Sequence, residues 1–148
     1  MTKEDKVQKA KEFLKGYKET ITRMDNLNMQ IEELRMAQYG TAIQYSDMPK
    51  AHNITDLSDY AAKVDKLYRE WDAERNCALL QLEVIVNVIQ KIKSEEEKNI
   101  LIMRYIKRLK WEDMLNPLNM SWMTMHRLHS KALCNVYDLL PYQKDDIV

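Results

Sequence analysis

The sequence predicts an all-α protein: a long antiparallel, coiled-coil-like helical hairpin followed by a helix-turn-helix domain. Three observations predict it. Glycine is nearly absent, with Gly16 and Gly40 alone in 148 residues, where an average chain would hold about ten. Apolar residues recur at alternating intervals of three and four along two long stretches, the mark of a helical seam. A short helical pattern, a tight turn and a longer capped pattern then follow one another from Trp111. The boundaries expected are 1–93 for the hairpin and 94–148 for the helix-turn-helix domain.

The first seam runs through Val7, Ala10, Leu14, Tyr17, Ile21, Met24 and Ile31. Thr2, with Asp5 three residues on, is a cap signal for its start, and the helix is expected over 3–37. Phe13, Leu27 and Leu34 widen the stripe, so more than one partner surface is expected. Residues 38–55 lose the periodicity, hold Gly40, Pro49 and Asn53, and are expected to form a loop. The second seam passes through Leu57, Tyr60, Val64, Leu67, Trp71, Arg75, Ala78, Leu82, Ile85, Ile89 and Ile92. Two such helices can fold back on one another or pair with a second copy of the chain, and the spacing fits both.

Ser94 before Glu95-Glu96-Glu97 is a third helix start, with carboxylates where the helix dipole favours them; that helix is expected to reach Lys107. Trp111 to Leu118 forms the next element and Ser121 to Leu140 the last. Asn119 between them is the residue other than glycine best suited to a left-handed turn, and Ser121 is a good cap. A short helix, a tight turn and a longer helix make a helix-turn-helix pattern. Within the last helix Met125, Leu128, Ala132, Leu133, Val136 and Leu140 share the inward face. Trp122, Met123, His126, Arg127, Ser130 and Lys131 are left on the outward one.

Residues 100–133 carry a resemblance. Trp111-Glu112-Asp113-Met114, Leu118, Met120-Ser121, Thr124-Met125, Arg127-Leu128-His129 and Lys131-Ala132-Leu133 resemble the region 4 helix-turn-helix of sigma-70-type transcription factors. With the helical first half and the Arg104-Tyr105-Ile106 approach, the whole chain is similar to sigma-like regulators of Gram-positive bacteriophages and prophages. The chain departs from that pattern at Leu115, where a small residue is usual, at Asn119, where a glycine-like one is, and at Pro117. A bulky Leu115 is expected to push the two helices apart. The resemblance implies a late-gene transcriptional regulator working in the cytoplasm of a bacterial host, bound to double-stranded DNA and in contact with RNA polymerase.

The physical reading runs beside this. A recognition helix offers its N-terminal outward residues to base edges in the major groove, so Trp122, Met123, His126, Arg127 and Ser130 are the candidate base contacts. Lys107, Arg108, Lys110 and Lys131 are the candidate phosphate contacts, which position a protein without reading sequence. The formal net charge is zero, which by itself argues against a polyanion partner. Resolved along the chain, residues 98–131 hold seven basic and two acidic side chains, a net of +5, and the balance lies elsewhere.

Other chemistry finds little footing. No glycine-rich loop can cradle a phosphate, and no nucleophile elbow, His/Ser/Asp set or paired carboxylates suggest catalysis. No enzyme activity and no cofactor are expected. His126 and His129 with Cys134 form at most half a metal site. Cys77 and Cys134 are expected to be reduced and buried. No apolar run approaches the ~18 residues of a membrane span, and Met-Thr-Lys-Glu-Asp-Lys is not a secretory leader. A different reading makes the hairpin the working surface of an interaction or assembly protein, such as a polymerase-binding adaptor or a terminase-like packaging subunit, with a homo-oligomer formed through the hairpin.

Overall fold

The computed structural model describes residues 2–44 and 54–140, the side chains of 39–44 and 54–56 excepted. Every regular element among them is helical: α1 (Lys3–Gln44), α2 (Ile54–Gln90), α3 (Glu95–Leu101), a π-helical turn (Ile102–Ile106), α4 (Trp111–Leu118) and α5 (Trp122–Leu139). The all-α class is therefore as expected. No helix among the described residues is long and apolar enough to cross a membrane.

The chain divides into two compact units, one of Met1–Glu19 with Leu79–Val148 and one of Thr20–Ala78. In the first, the start of α1 and the end of α2 share a core with the C-terminal helices. Ala10 and Leu14 of α1, Ile85, Val88 and Ile89 of α2, Leu101 and Tyr105, and Ala132, Leu133 and Val136 of α5 form one buried cluster. A second, smaller cluster joins Ile100, Met114 and Met125. Alternating three- and four-residue spacing keeps Ala10, Leu14, Ile85 and Ile89 on inward faces. Thr2 caps α1 as the sequence implies: its Oγ1 accepts from the Asp5 N–H at 3.2 Å, and its own N–H donates to Asp5 Oδ2 at 3.1 Å.

In the second unit α1 and α2 are tied by the Arg23–Glu74 ion pair, 3.1 Å from Nε to Oε1. Among the described residues Thr20, Ile31 and Ala78 are buried there. The seam positions Tyr60, Val64, Leu67 and Trp71 are half-buried, while Leu57 is exposed.

Four expectations need correction. The helix expected to stop at residue 37 continues to Gln44, and α2 begins at Ile54. Losing apolar periodicity removes a reason to bury a helix but does not break it, and 38–44 contain no proline. Pro49 and most of the expected loop lie outside the described residues. The helix expected over 95–107 changes to π winding at Ile102, where the Lys107 N–H donates to the Ile102 carbonyl at 2.9 Å. Cys77 is exposed and Cys134 half-buried. Cys77 stands beside Ala78, which takes the seam position, so the general preference of cysteine for the interior does not apply to it. Glu97, assigned above to dipole electrostatics alone, is 2% exposed, and its Oε2 accepts from Asn135 Nδ2 at 2.8 Å. This bond fastens α3 to α5.

Candidate nucleic-acid interface

The turn between α4 and α5 is built by two small polar residues. Asn119 takes the left-handed conformation, φ 52° and ψ 49°, and its N–H donates to the carbonyls of Leu115 and Asn116 at 2.9 and 3.2 Å. Asparagine bears this conformation at lower cost than most residues. Ser121 then caps α5: its Oγ accepts from the Thr124 N–H at 3.3 Å. Both features agree with the sequence. Leu115 packs half-buried against the Ile100–Met114–Met125 cluster, and Pro117 is accommodated inside α4.

On α5 the expected faces hold. Met125, Ala132, Leu133 and Val136 are fully buried, and Leu128 and Leu140 pack partly buried against the two clusters. On the opposite side Met123 is 82% exposed and Trp122 47%, with Arg127 and Lys131 exposed as well. Lys107, Arg108 and Lys110, in the connection before α4, are exposed too. His126 and Ser130 are half-buried. The His126 ring sits against two indoles, its centroid 4.5 Å from each of Trp111 and Trp122. Trp122 therefore covers His126 with one side and meets solvent with the other.

Beneath this face lies an aromatic and basic layer that the sequence reading passed over. Arg104 holds the connection: its Nη1 donates to the Leu109 carbonyl at 2.9 Å, and its guanidinium lies 4.6 Å from the Trp111 ring centre. Arg108 takes a left-handed φ of 60° there, and the Leu109 N–H returns to the Met103 carbonyl at 3.0 Å. His129, 4% exposed, is hydrogen-bonded to the Tyr105 hydroxyl at 2.7 Å through Nε2 and meets Trp111 edge-on at 4.6 Å. Burial first, then the charges of Lys11, His126 and Arg104, push the His129 imidazole down to about 3, so it is neutral at physiological pH. Burial likewise pushes the Tyr105 phenol up to about 12, opposed by the Arg104 charge. Tyr105 follows Glu97 and Leu101 on the buried face at four-residue spacing, but its partner His129 lies 24 residues away, so the pair is not legible from local spacing.

No group of three metal-ligating side chains occurs among the described residues. His129 is bonded to Tyr105, which leaves the His126–His129–Cys134 trio without the geometry of a site. Lys11, Lys15 and Lys18 share a cavity wall with Arg104, Trp111, His126 and Ser130. Their spacing of four and three residues could have signalled a common helix face.

No curated protein and no solved structure matches the chain. A family model described as a protein of unknown function (DUF1492) matches residues 72–136, which run from the second half of α2 through the α4–turn–α5 motif to Val136.

Proposed function

We propose that the protein binds duplex DNA through α5 and regulates transcription. The observation that carries this reading is the pairing of a capped, left-handed turn with a two-sided α5. One side of that helix is fully buried, and the other leaves Trp122, Met123, Arg127 and Lys131 in solvent. Such a helix can enter a major groove while the body of the domain stays packed. Arg127 is suited to a bidentate contact with guanine, and Lys107, Arg108, Lys110 and Lys131 to phosphates. The likeness of residues 100–133 to sigma region 4 extends the reading to a phage or prophage late-gene regulator that also contacts RNA polymerase in a bacterial cytoplasm.

Electrophoretic shift with duplex DNA from upstream of the late genes of the same phage or prophage tests it. Replacing both Arg127 and Lys131 by alanine is expected to weaken binding at least about fivefold, since one base contact is worth about 1–3 kcal/mol. Unchanged binding would sink the assignment of these residues.

A second reading, an assembly protein working through its long helices, is favoured by the exposure of Leu79 and Leu80 on α2, 52% and 65%. Salt separates the two. Phosphate-mediated binding weakens steeply as salt rises, whereas apolar burial against a protein partner does not.

A further inference from the structure

The start of α1 brings a row of lysines to the helix-turn-helix. Lys11, Lys15 and Lys18 stand at i, i+4 and i+7, one face of a helix, and wall a cavity of about 270 Å³ closed on its other sides by Arg104, Trp111 and His126 among others. Among the described residues no carboxylate contributes to that wall, and neither Lys11 nor Lys15 forms an ion pair. Like charges gathered in a half-enclosed space repel, because the protein on either side screens them less than water does. Their field reaches the interior: Lys11 and Arg104 both help to keep His129 neutral. On the same wall His126 Nε2 is buried with no hydrogen-bond partner among the described residues.

Lys11 and Lys15 without an ion pair, Arg104 beside them and no carboxylate in the wall among the described residues describe a site that lacks its negative charge. The volume is several times that of one water, roughly 30 Å³, and falls short of the ~300 Å³ at which pockets begin to enclose drug-sized ligands. A single phosphate group fits this range, and its oxygens can accept from lysine and arginine together. Ser130 and His126 belong both to this wall and to the outward side of α5, so the cavity borders the surface read above as the groove-facing one.

We propose that this cavity binds a phosphate group, and that the group is a backbone phosphate of the DNA strand flanking α5. Its source, though not the phosphate chemistry, rests on the DNA-binding reading. Lys11 and Lys15 are then the principal ligands, with Lys18 and Arg104 adding charge from either end.

Inorganic phosphate titrated into the full-length chain at constant ionic strength, followed by the indole N–H resonance of Trp111, tests the cavity. A saturable shift is expected, lost in the Lys11→Gln/Lys15→Gln variant and kept in Lys11→Arg/Lys15→Arg, which preserves the charges. No saturation, or the same shift in the glutamine variant, overturns the cavity assignment. With duplex DNA, the glutamine variant is expected to reduce the slope of log affinity against log salt by about 0.9, one phosphate no longer neutralised. An unchanged slope overturns the backbone as the source. If the unaltered chain binds no duplex yet shows the phosphate shift, the DNA reading fails while the phosphate site stands.

Discussion

Tyr105 and His129 meet in the interior with the phenolic oxygen 2.7 Å from the imidazole Nε2, a neutral pair held by burial on both sides. The pair limits the pH range of the fold. His129 is depressed to about 3 in the folded chain, whereas an unfolded histidine titrates near 6.5. Below that value the unfolded state takes up a proton that the folded state refuses, so stability is full above pH 6.5 and is lost as pH falls toward 3. The loss is expected to approach about 1 kcal/mol per pH unit within that window. Tyr105 acts at the other end: raised to about 12, it leaves stability full below pH 10 and lost between 10 and 12. Urea unfolding across pH 4–11 checks both limbs, and His129→Gln should flatten the acid limb.

Tyr105→Phe leaves the His129 ring nitrogen buried with its partner removed. An unsatisfied buried polar atom costs about 1–3 kcal/mol, and the loss should appear in the urea midpoint at pH 7 with an unchanged slope.

Asn119 supplies the left-handed turn between α4 and α5. Asn119→Gly should fold as well or slightly better, since glycine pays no Cβ penalty there. Asn119→Val should destabilise by about 1–2 kcal/mol and weaken DNA binding beyond the stability loss by shifting the start of α5. Thermal unfolding and electrophoretic shift on the same preparations separate the two effects.

Glu97 and Asn135 join α3 to α5 at 2.8 Å. Replacing Asn135 by leucine strands a buried carboxylate and is expected to cost about 2–3 kcal/mol. Replacing both with apolar residues should recover part of that loss, and a double-mutant cycle measures the coupling.

Gly16 lies inside α1, where a Cβ would stand 3.4 Å from Gln81 Nε2, an ordinary contact. Gly16→Ala should therefore stabilise by about 0.5–1 kcal/mol, the usual helix-interior difference. A lower melting temperature would show that the close approach of α1 to α2 requires glycine.

These residues also mark how far the sequence could be read. Caps and turns were legible because they are local: Thr2, Ser94, Asn119 and Ser121 each act within three or four residues. The inward face of α5 was legible from its repeat. What escaped depends on partners distant in the chain or on broken periodicity. Glu97 looks like any first-turn carboxylate until Asn135 is beside it, and Tyr105 looks like any core aromatic until His129, 24 residues on, meets its hydroxyl. Nothing in α1 alone brings Lys11 and Lys15 to Arg104 and His126. For the candidate interface, the exposed set of Trp122, Met123, Arg127 and Lys131 followed from helical geometry, but the burial of His126 between two indoles did not.

The shared core of α1, α2 and α5 bears on how the chain acquires its structure during synthesis. Ala10 and Leu14 leave the ribosome early, yet Leu133 and Val136, which share their buried cluster, are among the last residues to be made. Until α5 emerges, the apolar stripe at the start of α1 has only the end of α2 with Leu101 and Tyr105 to complete its core. Contacts so far apart in sequence form slowly, so Thr20–Ala78, whose partners are all made earlier, is free to settle first. Stopping translation before α5 should thus yield a nascent chain protected from protease around Arg23 and Glu74, where α1 and α2 are tied, and open to cleavage near Leu14.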